Sequence, residues 1–156
     1  MKLKLLFLCA IALFLSVYSV SAQTKKQNPL PVINYNENVN ADLTKKELAF
    51  IKEVYADKAN EYVLSKPQRI KDIKNILRNR ISIVEHANKD LSSYKPLSSV
   101  KLFNNYNKTL TRDNVFNMET FNPLKYNFNF YTRDMSTITY RIDNTNYLIN
   151  IKSQYQ

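Results

Sequence analysis

The chain has 156 residues and a formal net charge of +10, with no glycine, no tryptophan, one cysteine and one histidine. Without glycine it cannot carry a Rossmann fingerprint, a P-loop, a kinase glycine-rich loop, a nucleophile elbow or an EF-hand loop. One His and one Cys cannot build a zinc finger or an ordinary transition-metal site, so neither a metal nor a cofactor is expected, and the length suits one ordinary domain.

Residues 1–22 have the pattern of a secretory signal peptide. Lys2 and Lys4 supply a positive start, Leu5 to Val20 is an apolar run, and Val20-Ser21-Ala22 places small residues at the −3 and −1 positions. Cleavage is expected before Gln23. The competing readings are an uncleaved anchor, for which the apolar run is short, and a lipoprotein, for which Cys9 after Leu6-Phe7-Leu8 comes too early. The mature chain is then exported, periplasmic or secreted, with no stable transmembrane segment. It loses Cys9 and is held by packing alone. It also keeps 21 basic and 13 acidic side chains, a net charge of +8.

Residues 23–43 read as a flexible or loosely docked arm, polar and Asn-rich with Pro29 and Pro31. A single α+β domain is expected over 44–156. Thr44-Lys45-Lys46-Glu47 is a capping box that opens a helix over 44–64, with Leu48, Ile51, Tyr55, Ala59 and Tyr62 in one stripe. Ser65-Lys66-Pro67 stops it, because the residue before Pro is pushed out of the α region. Ser65 is then the expected cap of a second helix over 66–87, with Ile70, Ile73, Ile76, Leu77, Ile81, Ile83 and Val84 on one side. So short a connection predicts an antiparallel helical hairpin, with one kinked helix as the alternative.

Residues 88–124 carry weaker signals: Val100 to Phe103 suggests a short strand, and Phe103, Tyr106, Leu110, Val115, Phe116 and Phe121 suggest anchors to a core. The last 31 residues alternate with period two. Tyr126, Phe128 and Phe130, then Ile138, Tyr140 and Ile142, then Tyr147, Ile149 and Ile151 define three strands of an antiparallel β-meander packed on the hairpin. Its turns must use Asn or Asp at positive φ, because no Gly is available. The expected core includes Leu48, Ile51, Tyr55, Ile73, Leu77, Val84, Phe128, Tyr140 and Ile149.

Residues 65–80 hold six basic groups against Asp72 alone. Lys66, Arg69, Lys71, Lys74 and Arg78 form a candidate surface for an anion or a partner, on what the spacing makes the outer face of the second helix. A plain solvated face explains the same residues. Arg80 falls inside the apolar arc, so it is either paired or snorkelling in the core or the floor of a ligand pocket. His86, opposite that arc at the helix end, has no spacing that suggests a nucleophile and acid beside it.

Asp113, Glu119, Asp134 and Asp143 are scattered loop carboxylates. The run Asp143-Asn144-Thr145-Asn146 looks more like a turn than a calcium loop. The meander aromatics with Lys101, Lys125, Arg133, Arg141 and Lys152 have the ingredients of a nucleic-acid surface, but a small sheet needs one apolar face for its core.

Three features together carry a resemblance: Ser21-Ala22-Gln23, the stretch Phe121 to Phe130, and Tyr140-Arg141-Ile142-Asp143-Asn144-Thr145-Asn146-Tyr147 before a final strand. The combination resembles small exported proteins of the Bacteroidetes, flavobacteria in particular, over residues 66–152. It implies a location and no activity. The functional expectation is a non-enzymatic exported module that binds a protein or envelope component. The alternatives are an anion-binding protein for acidic polysaccharide, lipid headgroups or phosphate on the basic helix, and an enzyme using loop carboxylates or Arg80. Nucleic acid is not the expected partner of an exported chain.

Overall fold

The structure, a computed structural model, describes residues 32–87 and 90–156; the signal-peptide pattern and residues 23–31 lie outside them. Helix α1 spans Lys45–Tyr55 and starts as its sequence dictates. The Thr44 hydroxyl accepts from the Glu47 amide at 3.1 Å, and the Glu47 carboxylate accepts from the Thr44 amide at 2.8 Å. That reciprocal pair satisfies two amides that a helix start would otherwise leave bare.

The helix is interrupted at Ala56, with φ 49° and ψ −129°. A 3-10 turn, Ala56–Lys58, and a π turn, Asn60–Leu64, carry the chain on. Lys66 is extended (φ −120°, ψ 97°), as a residue before proline must be, and α2 runs Pro67–Asn75. Lys66, and not Ser65, is the N-cap, and it makes no side-chain cap. The Ser65 hydroxyl donates back to the Glu61 carbonyl instead. The helices run antiparallel: Glu47 in the first turn of α1 meets Arg78 beyond the end of α2, and Tyr55 at the end of α1 meets Arg69 near the start of α2.

The expected second helix over 66–87 is half helix and half strand. After α2 a π turn, Ile76–Arg80, leads directly into β1, Ile81–Glu85. Ile-Ser-Ile-Val loses side-chain freedom in a helix and fits a pleated sheet, and the C-terminal strand lies alongside to accept it. Val84 is accordingly 42% exposed rather than in the core.

The sheet is therefore four-stranded and mixed, not a three-stranded meander. Its other strands are β2 (Lys95–Pro96), β3 (Ile138–Arg141) and β4 (Tyr147–Ile151), and the order is β1-β4-β3-β2. β4 pairs antiparallel with β1 and with β3, while β2 runs parallel to β3. The β3–β4 turn has Asn144 at φ 58°, the left-handed position that asparagine fills in a chain without glycine.

Residues 126–130 are not a strand. Tyr126 forms one bridge to Leu102 and the Asn127 amide donates across to the Lys101 carbonyl at 2.8 Å, but the Phe128 and Phe130 amides bond two residues back, to the Tyr126 carbonyl at 2.8 Å and the Phe128 carbonyl at 2.7 Å. Three-residue turns of this kind keep alternate side chains on opposite sides. Tyr126, Phe128 and Phe130 are buried and Asn127 and Asn129 are exposed, so the alternation was real although the ladder is absent.

Ile51, Val54, Val63, Ile73, Ile76 and Ile149 form the driest part of the core, with Tyr55, Tyr126 and Phe128 packed on them. Leu48, Leu77 and Tyr140 are half-buried. Val32–Gln156 form one compact unit, so the described part of the arm belongs to it. Among the described residues no helix is long and apolar enough to cross a membrane.

Ala56 occupies a region of φ and ψ that glycine dominates. Ala56→Gly is expected to stabilise the protein by about 1 kcal/mol and raise Tm by about 3 °C. Ala56→Val is expected to lower it. Thermal melts of the two variants check the strain.

Candidate functional site

The basic residues of 65–80 do not share one open face. Lys66 stands over the Tyr62 ring and Lys71 over the Tyr35 ring, 5.5 and 4.5 Å from the ring centres. Lys74 is buried, and its Nζ donates to the Ala41 carbonyl at 2.9 Å. Arg78 makes a forked pair with Glu47, Nε to Oε1 at 2.6 Å and Nη2 to Oε2 at 2.7 Å. Its remaining capacity goes to the carbonyls of Asn38, Ala41 and Asp42. Lys74 and Arg78 are thus turned under the arm rather than outward. The 3-10 turn Glu37–Asn40 lays the arm on the helix, with Val39 buried beneath it.

Burial pushes the Glu47 carboxyl up, but Arg78 and Thr44 more than reverse it and hold it below its ordinary 4.5. Arg78 rises correspondingly through the same bond.

Arg69 and Arg80 differ from these. Arg69 is half-buried and donates to two phenols, Tyr131 at 2.5 Å and Tyr55 at 3.1 Å. Among the described residues no carboxylate bonds to it. Burial works to lower it, while the Tyr55 bond and the charges of nearby oxygens, Asp72 among them, leave it above its ordinary value.

It stands beside a cavity of about 320 Å³. Tyr55, Ile73, Ile76, Phe103, Tyr126, Phe128 and Phe130 supply an apolar lining, and Asn127, Asn129 and Tyr131 supply polar groups. Neither exposed asparagine side chain is hydrogen-bonded among the described residues.

Arg80 is 5% exposed. It makes no core ion pair. Its Nε donates to the Lys152 carbonyl at 3.1 Å and its Nη2 to the Phe130 carbonyl at 2.6 Å. Burial holds it below the ordinary arginine value, against the opposing charges of Tyr131, Asp72 and Tyr35. It lines a smaller cavity of about 190 Å³, which Tyr131 also lines. Arg80 is thus both buried on backbone carbonyls and at the edge of a cavity.

No known family model matches the chain, and neither a curated protein nor a solved structure is significantly similar to it. The site has to be read from its own chemistry.

The other sequence candidates have local roles. His86 follows β1 rather than ending a helix, and its amide donates to the Asn146 carbonyl at 2.8 Å. Asp113 and Glu53 bracket the buried Lys125 at 2.7 and 3.2 Å. Burial works to lower Lys125, and the two carboxylates more than reverse it. Asp143 accepts from the Ser98 amide and hydroxyl, Asp134 from the Ser136 amide, and the Glu119 amide donates to Asn117. Among the described residues no group of three or more acidic, His or Cys side chains could hold a metal. The aromatic row Tyr126, Phe128, Phe130 stacks inward, so it offers no platform for bases. Lys101, Arg133 and Lys152 are exposed, and Arg141 is half-buried.

Sequence reading missed Tyr35, Tyr55, Asp72 and Tyr131 as site residues. Asp72 had a visible signal as the lone acid among six bases. Tyr131 had none, since it lies 62 residues from Arg69.

The Glu47 carboxyl is depressed by folding. Its contribution is therefore complete above the ordinary value and lost as pH falls through the lower folded value. Glu47→Gln is expected to cost about 3 kcal/mol at neutral pH by leaving Arg78 uncompensated. The gap to the parent should shrink below about pH 4.5. Urea unfolding across acid pH checks both.

Proposed function

We propose that this chain is an exported, non-catalytic binding module whose ligand is a small organic anion held in the aromatic pocket beside Arg69. One observation carries the reading: Arg69 is a half-buried guanidinium at an apolar cavity, bonded only to phenol oxygens. Buried cations in proteins are normally paired with an acid. Arg78 and Lys125 are so paired here, and Arg69 is not. A carboxylate or phosphate entering the pocket would complete it with charge-assisted bonds, which are the stronger kind.

The cavity size limits the guest. At about 30 Å³ per water-sized group, the pocket of about 320 Å³ takes roughly ten non-hydrogen atoms. That suits a single ring or short chain bearing one acidic group. Asn127 and Asn129 add neutral hydrogen-bonding capacity at its edge. The residues also favour a small anion over a polyanion, because Lys74 and Arg78 are engaged inside the fold. The absence of glycine loops and of a His or Cys constellation supports binding over catalysis. The pattern of residues 1–22 supports an envelope or extracellular setting.

Calorimetry with phenylacetate, cyclohexanecarboxylate and phenyl phosphate, against the neutral phenylacetamide, tests this reading. The acids are expected to bind ten- to a hundredfold more tightly than the amide, the worth of one charged hydrogen-bonding group. Arg69→Met should remove that preference while leaving the fold intact. Equal binding of acid and amide, or a preference that survives in Arg69→Met, overturns it.

A further inference from the structure

The cavity of about 190 Å³, which shares Tyr131 with the larger one, has a different chemistry. Arg80 and Asp72 both line it, with Asn75, Tyr35, Gln68 and Gln154. Arg80 and Asn75 are each 5% exposed. The Nε and Nη2 atoms of Arg80 are satisfied by carbonyls, and among the described residues Nη1 carries no hydrogen bond. Asn75 accepts from Asn79 through Oδ1, and its Nδ2 is likewise without a hydrogen bond among the described residues. Two buried side chains therefore leave donors at one wall.

Asp72 presents the opposite need. Its Oδ1 accepts from the Tyr35 hydroxyl at 2.5 Å and from Gln68 at 2.9 Å. Among the described residues no hydrogen bond reaches Oδ2. The Tyr35 hydroxyl is pushed up to about 12 by burial and then by the carboxylate it donates to. That tyrosine therefore stays a neutral donor and keeps Oδ1 fixed. The cavity thus joins one cation that has spare donors and no carboxylate bonded to it with one carboxylate that has a spare oxygen.

We infer that this cavity is a site for a small zwitterion, a short α-amino acid whose carboxylate meets Arg80 and Asn75 and whose ammonium meets Asp72. An anion alone would leave Asp72 facing a like charge. A cation alone would leave Arg80 uncompensated. A guest carrying both charges satisfies both walls without adding net charge to a partly buried space. The volume favours a small guest: at about 30 Å³ per water-sized group it holds roughly six non-hydrogen atoms, the size of alanine and less than that of leucine. The inference is independent of the aromatic pocket, which has no carboxylate in its lining.

The test uses the full-length protein, calorimetry and amide-resolved NMR titration with L-alanine, acetate, methylammonium and L-leucine. Alanine is expected to shift the amide and side-chain signals of Asp72, Asn75 and Arg80. Each half-ligand should bind at least tenfold more weakly, and leucine should not bind there. Asp72→Asn, at a half-buried position, should weaken alanine at least tenfold with no loss of acetate. Arg80→Lys keeps the buried charge but removes Nη1, and should also weaken alanine. Three results each overturn the inference: no alanine-dependent shift at those residues, acetate binding as well as alanine, or Asp72→Asn binding alanine unchanged. Phenylacetate titrated in the same samples reports separately on the aromatic pocket.

Discussion

The fold turns on two arginines placed two residues apart where helix becomes strand. Arg78 reaches toward the arm and Arg80 toward the sheet and the 126–131 segment. A guanidinium has five donors and no acceptor. Each can therefore collect several carbonyls from segments that form no regular ladder. Arg78 gathers those of Asn38, Ala41 and Asp42, and Arg80 gathers those of Phe130 and Lys152. Backbone oxygens buried without partners are costly, and much of this chain is irregular. The two arginines meet that requirement, and the π turn between α2 and β1 sets their opposite directions.

The same logic separates structural charges from available ones. Glu47 neutralises Arg78, and Asp113 with Glu53 neutralises Lys125. These charges fasten the arm and the 113–125 loops to the helices. Among the described residues Arg69 and Arg80 hydrogen-bond to phenols and carbonyls and to no carboxylate. Both stand at cavities, and Tyr131 lines both cavities. Asp72, near enough to act on each arginine, lines only the smaller one. The larger cavity thus favours a single negative group, while the smaller favours both signs at once.

Local signals in the sequence were read correctly where their physics is local. The Thr44–Glu47 box is complete within four residues. The break before Pro67 follows from a clash with the neighbouring residue. The αL turn at Asn144 follows from the absence of glycine. The alternation over 126–130 gave the correct buried side, although the Phe128 and Phe130 amides bond within the segment. The reading failed for Ile81–Glu85, because Ile81, Ile83 and Val84 suit a helical stripe and a strand about equally. It failed again for Lys74 and Arg78, which looked outward on an isolated helix before the arm was laid on it.

By itself the sequence determined an α+β chain that must build its turns without glycine. It also determined where the first helix starts, where the second begins and which side of the aromatic run faces inward. Each depends on contacts within a few residues, which any window of the chain contains. Only the tertiary structure decided that β1 exists, that β4 lies between β1 and β3, and which of the six basic residues are free of acid partners. Ile83 finds Ile149, Arg69 finds Tyr131 and Arg80 finds Phe130 across long stretches of chain. No local propensity encodes such meetings, because they follow from how the whole unit closes around one core.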